Sequence, residues 1–177
     1  MGEAGSQMAL PGDYGAFRAL CGEAIPKVYG FVLHRCGDAG LAEDLTSDTL
    51  LAAAVRYREG TAEAVTMPWL MTVARNKLID HWRRAEREQR RLRLVWRASG
   101  DEAELPEWEG DASHVLALAV LGDMAPAYQA VLTLRYLDGL GVPDVARSLS
   151  RSVHATESLL ARAKTAFRRA YLERADD

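Results

Sequence analysis

Between residues 13 and 36 the apolar positions Phe17, Leu20, Ile25, Val28, Phe31 and Val32 recur at mostly helical spacing. Pro26 interrupts the series, and because its ring carries no N–H it suits a helix start better than a helix interior. The pattern predicts one short helix followed by a longer one that ends near Gly37. Over 38–58, Leu41, Leu45, Thr49, Ala52 and Val55 are in phase, with Glu43, Asp44 and Asp48 on the other face. That predicts a further amphipathic helix. Residues 59–67 read as a Gly- and Thr-containing loop, and Pro68 falls in the first turn of the next helix, where a missing N–H costs nothing.

That next helix, running to about Arg93, carries the most information. At 100° per residue Leu70, Ala74 and Leu78 share one face with Met71 and Trp82 beside them, while Asn76, Asp80 and Arg83 lie opposite, flanked by Lys77 and Arg84. The stripe can pack, and the polar face is left to touch something else. Trp69 and Trp82 are expected in the core rather than as stacking platforms. Nine Lys/Arg lie between Arg75 and Arg97 against three acids, Asp80, Glu86 and Glu88. Such a tract is either a solvated face laced with i,i+4 pairs or the docking face for a polyanion, of which nucleic acid is the commonest.

From Ala98 to Asp123 there are seven acids and no Lys or Arg, with Gly100, Pro106 and Gly110 breaking regular structure. The first part of this stretch reads as an acidic linker. Helical periodicity resumes at His114 and continues through Ala127 to Leu137, where Asp138-Gly139 ends it. Two more helices, 142–149 and 153–174, are joined by only a few residues, the spacing of a helix-turn-helix. The last is expected to bury Leu160, Ala163 and Phe167, and over 151–174 six basic residues face two acids, Glu157 and Glu173. The fold class expected is therefore all-α, with two small helical domains (1–94 and 114–177) joined by a linker over 95–113.

With 177 residues and 49% hydrophobic content the chain can give each domain a real core. The net charge of −3 averages blocks of opposite sign, and a phosphate backbone feels only charge within a Debye length of roughly 10 Å. Cys21 and Cys36 show neither disulfide-framework nor zinc-motif spacing, and although His34 and Asp38 lie near Cys36 in sequence, no metal or cofactor is expected. No run approaches the roughly 18 apolar residues that span a bilayer, and no signal peptide is recognisable. A cytoplasmic protein without membrane insertion is expected.

The run Ala42-Glu43-Asp44-Leu45-Thr46-Ser47-Asp48-Thr49-Leu50 resembles the core-polymerase-binding helix of bacterial sigma factors. Pro68 to Arg84 resembles the segment that melts and reads the −10 element. Tyr128 to Arg169, with Leu134-Arg135-Tyr136-Leu137-Asp138-Gly139-Leu140 in register, resembles the domain that binds the −35 element. The order matches the family, and the absence of room for the third core module of larger members points to the extracytoplasmic-function (ECF) group of the sigma-70 superfamily.

The resemblance implies a factor without catalytic residues that binds core RNA polymerase and directs it to promoter DNA, held inactive by an anti-sigma factor. It implies that Asp44 and Asp48 face the polymerase, with Leu45 and Leu51 adding apolar contact. Around the −10 element, Asn76 and Asp80 would offer hydrogen-bonding edges to a flipped base, the loop over 61–66 would close its pocket, and Arg75, Lys77, Arg83 and Arg84 would grip phosphate. At the −35 element Arg151, Ser152, His154, Ala155, Glu157, Ser158 and Arg162 would do the reading. There the chain departs from the family: Glu157 stands where a lysine is common and Leu159 where an arginine is common. Glu157 would repel phosphate yet can accept from a cytosine amino group, and Leu159 would touch a thymine methyl. Ser150 replaces the turn glycine, at about 1 kcal/mol if that position is left-handed. Two rivals predict differently: a two-module repressor or activator would bind duplex DNA tightly without polymerase, and a nuclease would need a divalent ion and Asp80.

Overall fold

A computed structural model describes residues 14–92 and 111–175. Among these residues the structure is all-α. A first bundle consists of α1 (Tyr14–Cys36), α2 (Ala39–Arg58) and α3 (Met67–Leu92); a second group consists of α4 (Asp111–Gly122), α5 (Pro126–Leu132), α6 (Val142–Ser148) and α7 (Val153–Ala175).

In α1 the buried residues Ala24, Val28, Val32 and Cys36 follow one another at intervals of four, one stripe on one continuous helix. The expected break at Pro26 does not occur. Pro26 is exposed, so the acceptor it leaves unpaired on Gly22, one turn earlier, lies on the solvent side, and Gly22 has open space around it. Gly37, at φ +68°, ends the helix with its N–H on the Leu33 carbonyl at 2.9 Å. Asp38 then caps α2, accepting from the Leu41 N–H at 2.9 Å. Inside α2 the buried hydroxyls of Thr46 and Thr49 donate to carbonyls four residues earlier, at 2.6 and 2.7 Å. Val55 is exposed and Tyr57 instead turns inward, its ring stacked on Phe17 at 4.5 Å. The 59–67 loop holds one short 3-10 turn, Ala62–Ala64.

The expected uninterrupted helix over 114–137 is two helices. Asp123 to Ala125 separates α4 from α5, and Pro126 opens α5 with Ala125 extended before it at ψ 139°. Because the apolar rhythm runs through this junction, periodicity alone could not reveal it. α5 continues into a π turn, Thr133–Leu137, closed by Gly139 at φ +68°. α4 begins at Asp111, three residues ahead of the expected start; the acidic run before it, with the basic residues Arg93 and Arg97, lies outside the described residues.

The two groups share one core. Leu70, Ala74, Leu78 and Trp82 on α3 join Val131 and Leu134 beyond the linker, and Leu159, Leu160, Ala163 and Phe167 on α7. α3 lies against α5, and α1 against α4. Fully burying a large aliphatic side chain stabilises by about 1.5–3 kcal/mol, so this shared layer holds the halves together as well as each half separately.

Candidate nucleic-acid interface

On α2, Asp44 and Asp48 are exposed and Leu51 is 64% exposed, so all three stand on a face open to a partner. Leu45 does not join them. At 4% exposure it belongs to the core, because it is spaced four residues before buried Thr49 on the inward stripe. Asp48 receives Lys77 of α3 at 3.4 Å, which draws the acidic face of α2 and the basic face of α3 together.

On α3 the four-residue spacing that buries Leu70, Ala74 and Leu78 turns Asn76 and Asp80 outward, and both are exposed. Arg83 pairs with Asp80 at 3.2 Å and Arg84 donates to the Asp80 carbonyl at 3.3 Å. The neighbouring loop is anchored by buried Val65, and the Thr66 hydroxyl accepts from the Trp69 N–H at 3.4 Å. Trp69 is partly covered, with the Arg56 guanidinium 5.7 Å from its ring. Trp82 is 2% exposed, a core residue. Next to it, burial and the nearby Arg84 charge push the His81 imidazole below its ordinary pKa, partly countered by Asp38.

The helix-turn-helix is α6, a tight turn and α7. Ser150 occupies the turn at φ 53°, the one non-glycine with positive φ among the described residues. The Ser152 hydroxyl accepts from the Ala155 N–H at 3.2 Å and so caps α7. Thr156, Leu159, Leu160, Ala163 and Phe167 face inward; Ser152, His154, Glu157, Ser158 and Arg162 are exposed, and Ala155 is half-buried. Leu159, at 4% exposure, cannot meet a thymine methyl: a residue three after Thr156 and four before Ala163 lies on the packed stripe.

Three of the cations assigned to DNA are engaged by the opposite half of the protein. Arg75 approaches the Asp138 carboxylate at 3.4 Å and the Phe31 ring at 6.0 Å. Arg83 donates to the Ser148 carbonyl, and Arg151 pairs with Glu86. Sequence reasoning gave no role to Arg35 or Gln129 and read Asp138 only as part of a helix stop, yet these three join the two halves. Arg35 holds Asp138 through Nε at 3.0 Å and Nη2 at 2.7 Å. The Gln129 amide bridges the Trp82 indole and the Cys36 carbonyl. The oddity available beforehand was a carboxylate next to a turn glycine, which reads equally as a helix stop. Among the described residues no group of three His, Cys, Asp or Glu is placed to hold a metal ion, and no helix is long and apolar enough to cross a membrane.

This geometry puts two basic helices, one on a three-helix bundle and one in a helix-turn-helix, into a single chain. The family model for sigma-70 region 2 matches residues 22–88, and that for sigma-70 region 4 matches residues 114–167. The ECF RNA polymerase sigma factor SigL of Mycobacterium tuberculosis is 30% identical over 168 residues, covering 90% of this chain and 91% of its own. The ECF RNA polymerase sigma factor BldN of Streptomyces coelicolor is 31% identical over 163 residues and 89% of this chain, which spans 61% of BldN. A solved structure of the sigma factor RpoE with the anti-sigma factor NepR from Bartonella quintana is 21% identical, covers 88% of this chain and 96% of its own, and gives a TM-score of 0.48. The chain belongs to the ECF RNA polymerase sigma factors.

Proposed function

We propose that this protein is an alternative sigma factor acting in the cytoplasm, which binds core RNA polymerase, directs it to a restricted promoter set, and helps open the −10 region. The observation that carries the reading is the order of the two matched regions, each built around a basic helix whose polar face is turned outward. The part of the chain up to residue 94 serves as the polymerase and −10 module, an acidic connector follows it, and the −35 module begins with α4 at Asp111. Asp44, Asp48 and Leu51 offer the polymerase contact. Leu45 supports it from beneath by fixing the inward face of α2.

Asn76 and Asp80 take the base-reading role. A flipped base has lost its stacking and pairing at a cost of a few kcal/mol, and short polar side chains on a rigid helix offset part of it without ordering much of their own entropy. Arg75, Lys77, Arg83 and Arg84 supply phosphate contacts, which position but do not specify. On α7 the exposed His154, Glu157, Ser158 and Arg162 read the second element, with Ser152 and Ala155 at the helix start and Arg151 just before it. The chemistry of RNA synthesis remains with the polymerase. An anti-sigma factor is the expected negative regulator, as it is the partner of RpoE in the complex described above.

Run-off transcription with purified core polymerase and genomic promoter fragments tests this, using the wild-type chain and the Asn76→Ala and Asp80→Ala variants. Protein-dependent initiation that both variants lose is the expected result. Absence of stimulation, together with specific binding to duplex DNA without polymerase, would assign the chain to repressors or activators instead.

A further inference from the structure

Two of the chain's four histidines meet on the outside of the molecule. His34 stands in the last turn of α1 and His114 in the first turn of α4, and both are exposed. Their imidazole rings lie 6.3 Å apart between centroids, with 36° between the planes, although the residues are 80 positions apart in the chain. Among the described residues neither imidazole takes part in a hydrogen bond or an ion pair, so the fold commits none of the four ring nitrogens.

The backbone holds the pair in place. A β-carbon on Gly37 would lie 3.8 Å from the Leu118 carbonyl oxygen, so the end of α1 touches α4. His34 and His114 each lie about one turn back along their helices from that contact. Gln129 fixes the same end of α1 by donating to the Cys36 carbonyl at 2.9 Å. What stays free is rotation of the two exposed rings.

We propose that His34 and His114 form a binding site for a divalent transition-metal ion of the zinc, nickel and copper class, with water completing the coordination. Neutral imidazole suits these ions, whereas magnesium and calcium take oxygen ligands. A metal–nitrogen bond of about 2.0–2.1 Å puts the metal roughly 3.2 Å from each ring centroid, so two imidazoles at a tetrahedral angle have centroids roughly 5 Å apart. The observed 6.3 Å is within about 1 Å of that, a closure that the broad side-chain torsion of an exposed histidine supplies. Position adds to the attraction, because His34 lies at the carbonyl end of a 23-residue helix, where the dipole favours a cation. The neighbouring Arg35 is already neutralised by Asp138.

Among the described residues no third His, Cys, Asp or Glu joins the pair. The site is therefore an open chelate of two ligands rather than a closed structural centre. Its ligands come from α1 and α4, so the ion ties the folded chain together and finds no such pair in the unfolded one; stability then rises with ion concentration. Neither histidine was given a polymerase contact, and neither belongs to the faces assigned to DNA except by lying in the same chain.

The test uses the full chain without a polyhistidine tag, in buffer free of chelators, with zinc chloride as the probe and magnesium chloride as the control. Calorimetric titration reads affinity and stoichiometry, thermal melts read Tm, and the imidazole C–H resonances identify the ligands. Variants are His34→Ala, His114→Ala and Cys21→Ser, the last because the Cys21 thiol is partly exposed. Both histidines are exposed, so their replacement leaves the metal-free Tm close to wild type.

One zinc ion per chain is expected, raising Tm by roughly 3–6 °C for each tenfold increase above its dissociation constant. The resonances of His34 and His114 shift while those of His154 do not. Each histidine substitution weakens binding at least about tenfold, since even a residue that only supports a ligand is worth that much. Cys21→Ser binds as wild type, and magnesium has no effect. A wild-type Tm that zinc leaves unchanged would overturn the proposal. So would binding that survives either histidine substitution, or binding that Cys21→Ser also abolishes.

Discussion

Replacing Ser150 by glycine should stabilise the protein, and the size of the gain follows from one backbone angle. Ser150 sits at φ 53° in the turn between α6 and α7, where a β-carbon crowds its own backbone at a cost of about 1–2 kcal/mol. The chain has no freedom to relax it, because the Ser150 N–H bonds the Arg147 carbonyl at 3.2 Å and the Arg151 N–H bonds the Ala146 carbonyl at 2.9 Å. Ser150 is exposed, so no packing is lost with its side chain. Against the relief stands the extra freedom glycine has in the unfolded chain, about 0.4–1 kcal/mol. The relief wins by about 0.5–1 kcal/mol. For a chain of 150–250 residues each kcal/mol moves Tm by about 2–4 °C, which gives a rise of roughly 1–4 °C. Thermal melts followed by circular dichroism resolve this, with Ser150→Val as the opposite control, since a β-branched residue tolerates this region worst. A Ser150→Gly variant that melts at or below wild type, beside a neutral Ser150→Val, would refute the reasoning.

Leu78 is 1% exposed between the modules' shared layers, so Leu78→Ala should cost about 2–5 kcal/mol, read from the midpoint of urea unfolding. His81 has its pKa lowered by burial and by Arg84, so between that lowered value and about 6.5 the unfolded chain holds a proton the native one lacks; stability then rises with pH across this window and falls on acidification. Urea midpoints measured across a pH series should show this dependence weakened in His81→Gln. Exposed Glu157 on the recognition helix repels phosphate, so Glu157→Lys should tighten binding to random-sequence duplex and steepen its salt slope by about 1, measured by anisotropy.

The helix that matters most was also the easiest to read. Leu70, Ala74, Leu78 and Trp82 repeat at intervals of four with charges opposite, and the structure places all four in the core. The turn at Ser150 was legible only through the resemblance, in which Ser150 stands at the turn glycine, and the structure gives it the left-handed φ of 53°. Orientation was misassigned where the resemblance was followed over the spacing: Leu45 and Leu159 lie on the packed stripes of their helices, were given outward contacts and are buried. Proline was ambiguous in both directions. Pro26 does not break α1, since its cost is met by solvent, whereas Pro126 marks a real break under an unbroken apolar rhythm. The docking of the halves was not legible at all. It joins Trp82 to Gln129 and Arg35 to Asp138, partners 47 and 103 residues apart, and no periodicity relates positions on separate helices.

Gly37 and Gly122 meet where α1 and α4 end. A β-carbon on Gly122 would lie 3.1 Å from the Gly37 Cα and 3.3 Å from the Cys36 carbonyl oxygen, both backbone atoms that no rotamer change can move. One on Gly37 would lie 2.9 Å from the Gly122 Cα. The same Cys36 carbonyl accepts from Gln129 at 2.9 Å, so a single methyl group inserted here would spread the seam along the hydrogen bond that crosses it. Two glycines 85 positions apart therefore share one tolerance. In an evolving lineage neither can drift independently while the seam is kept, and a screen of paired substitutions would find their effects epistatic rather than additive.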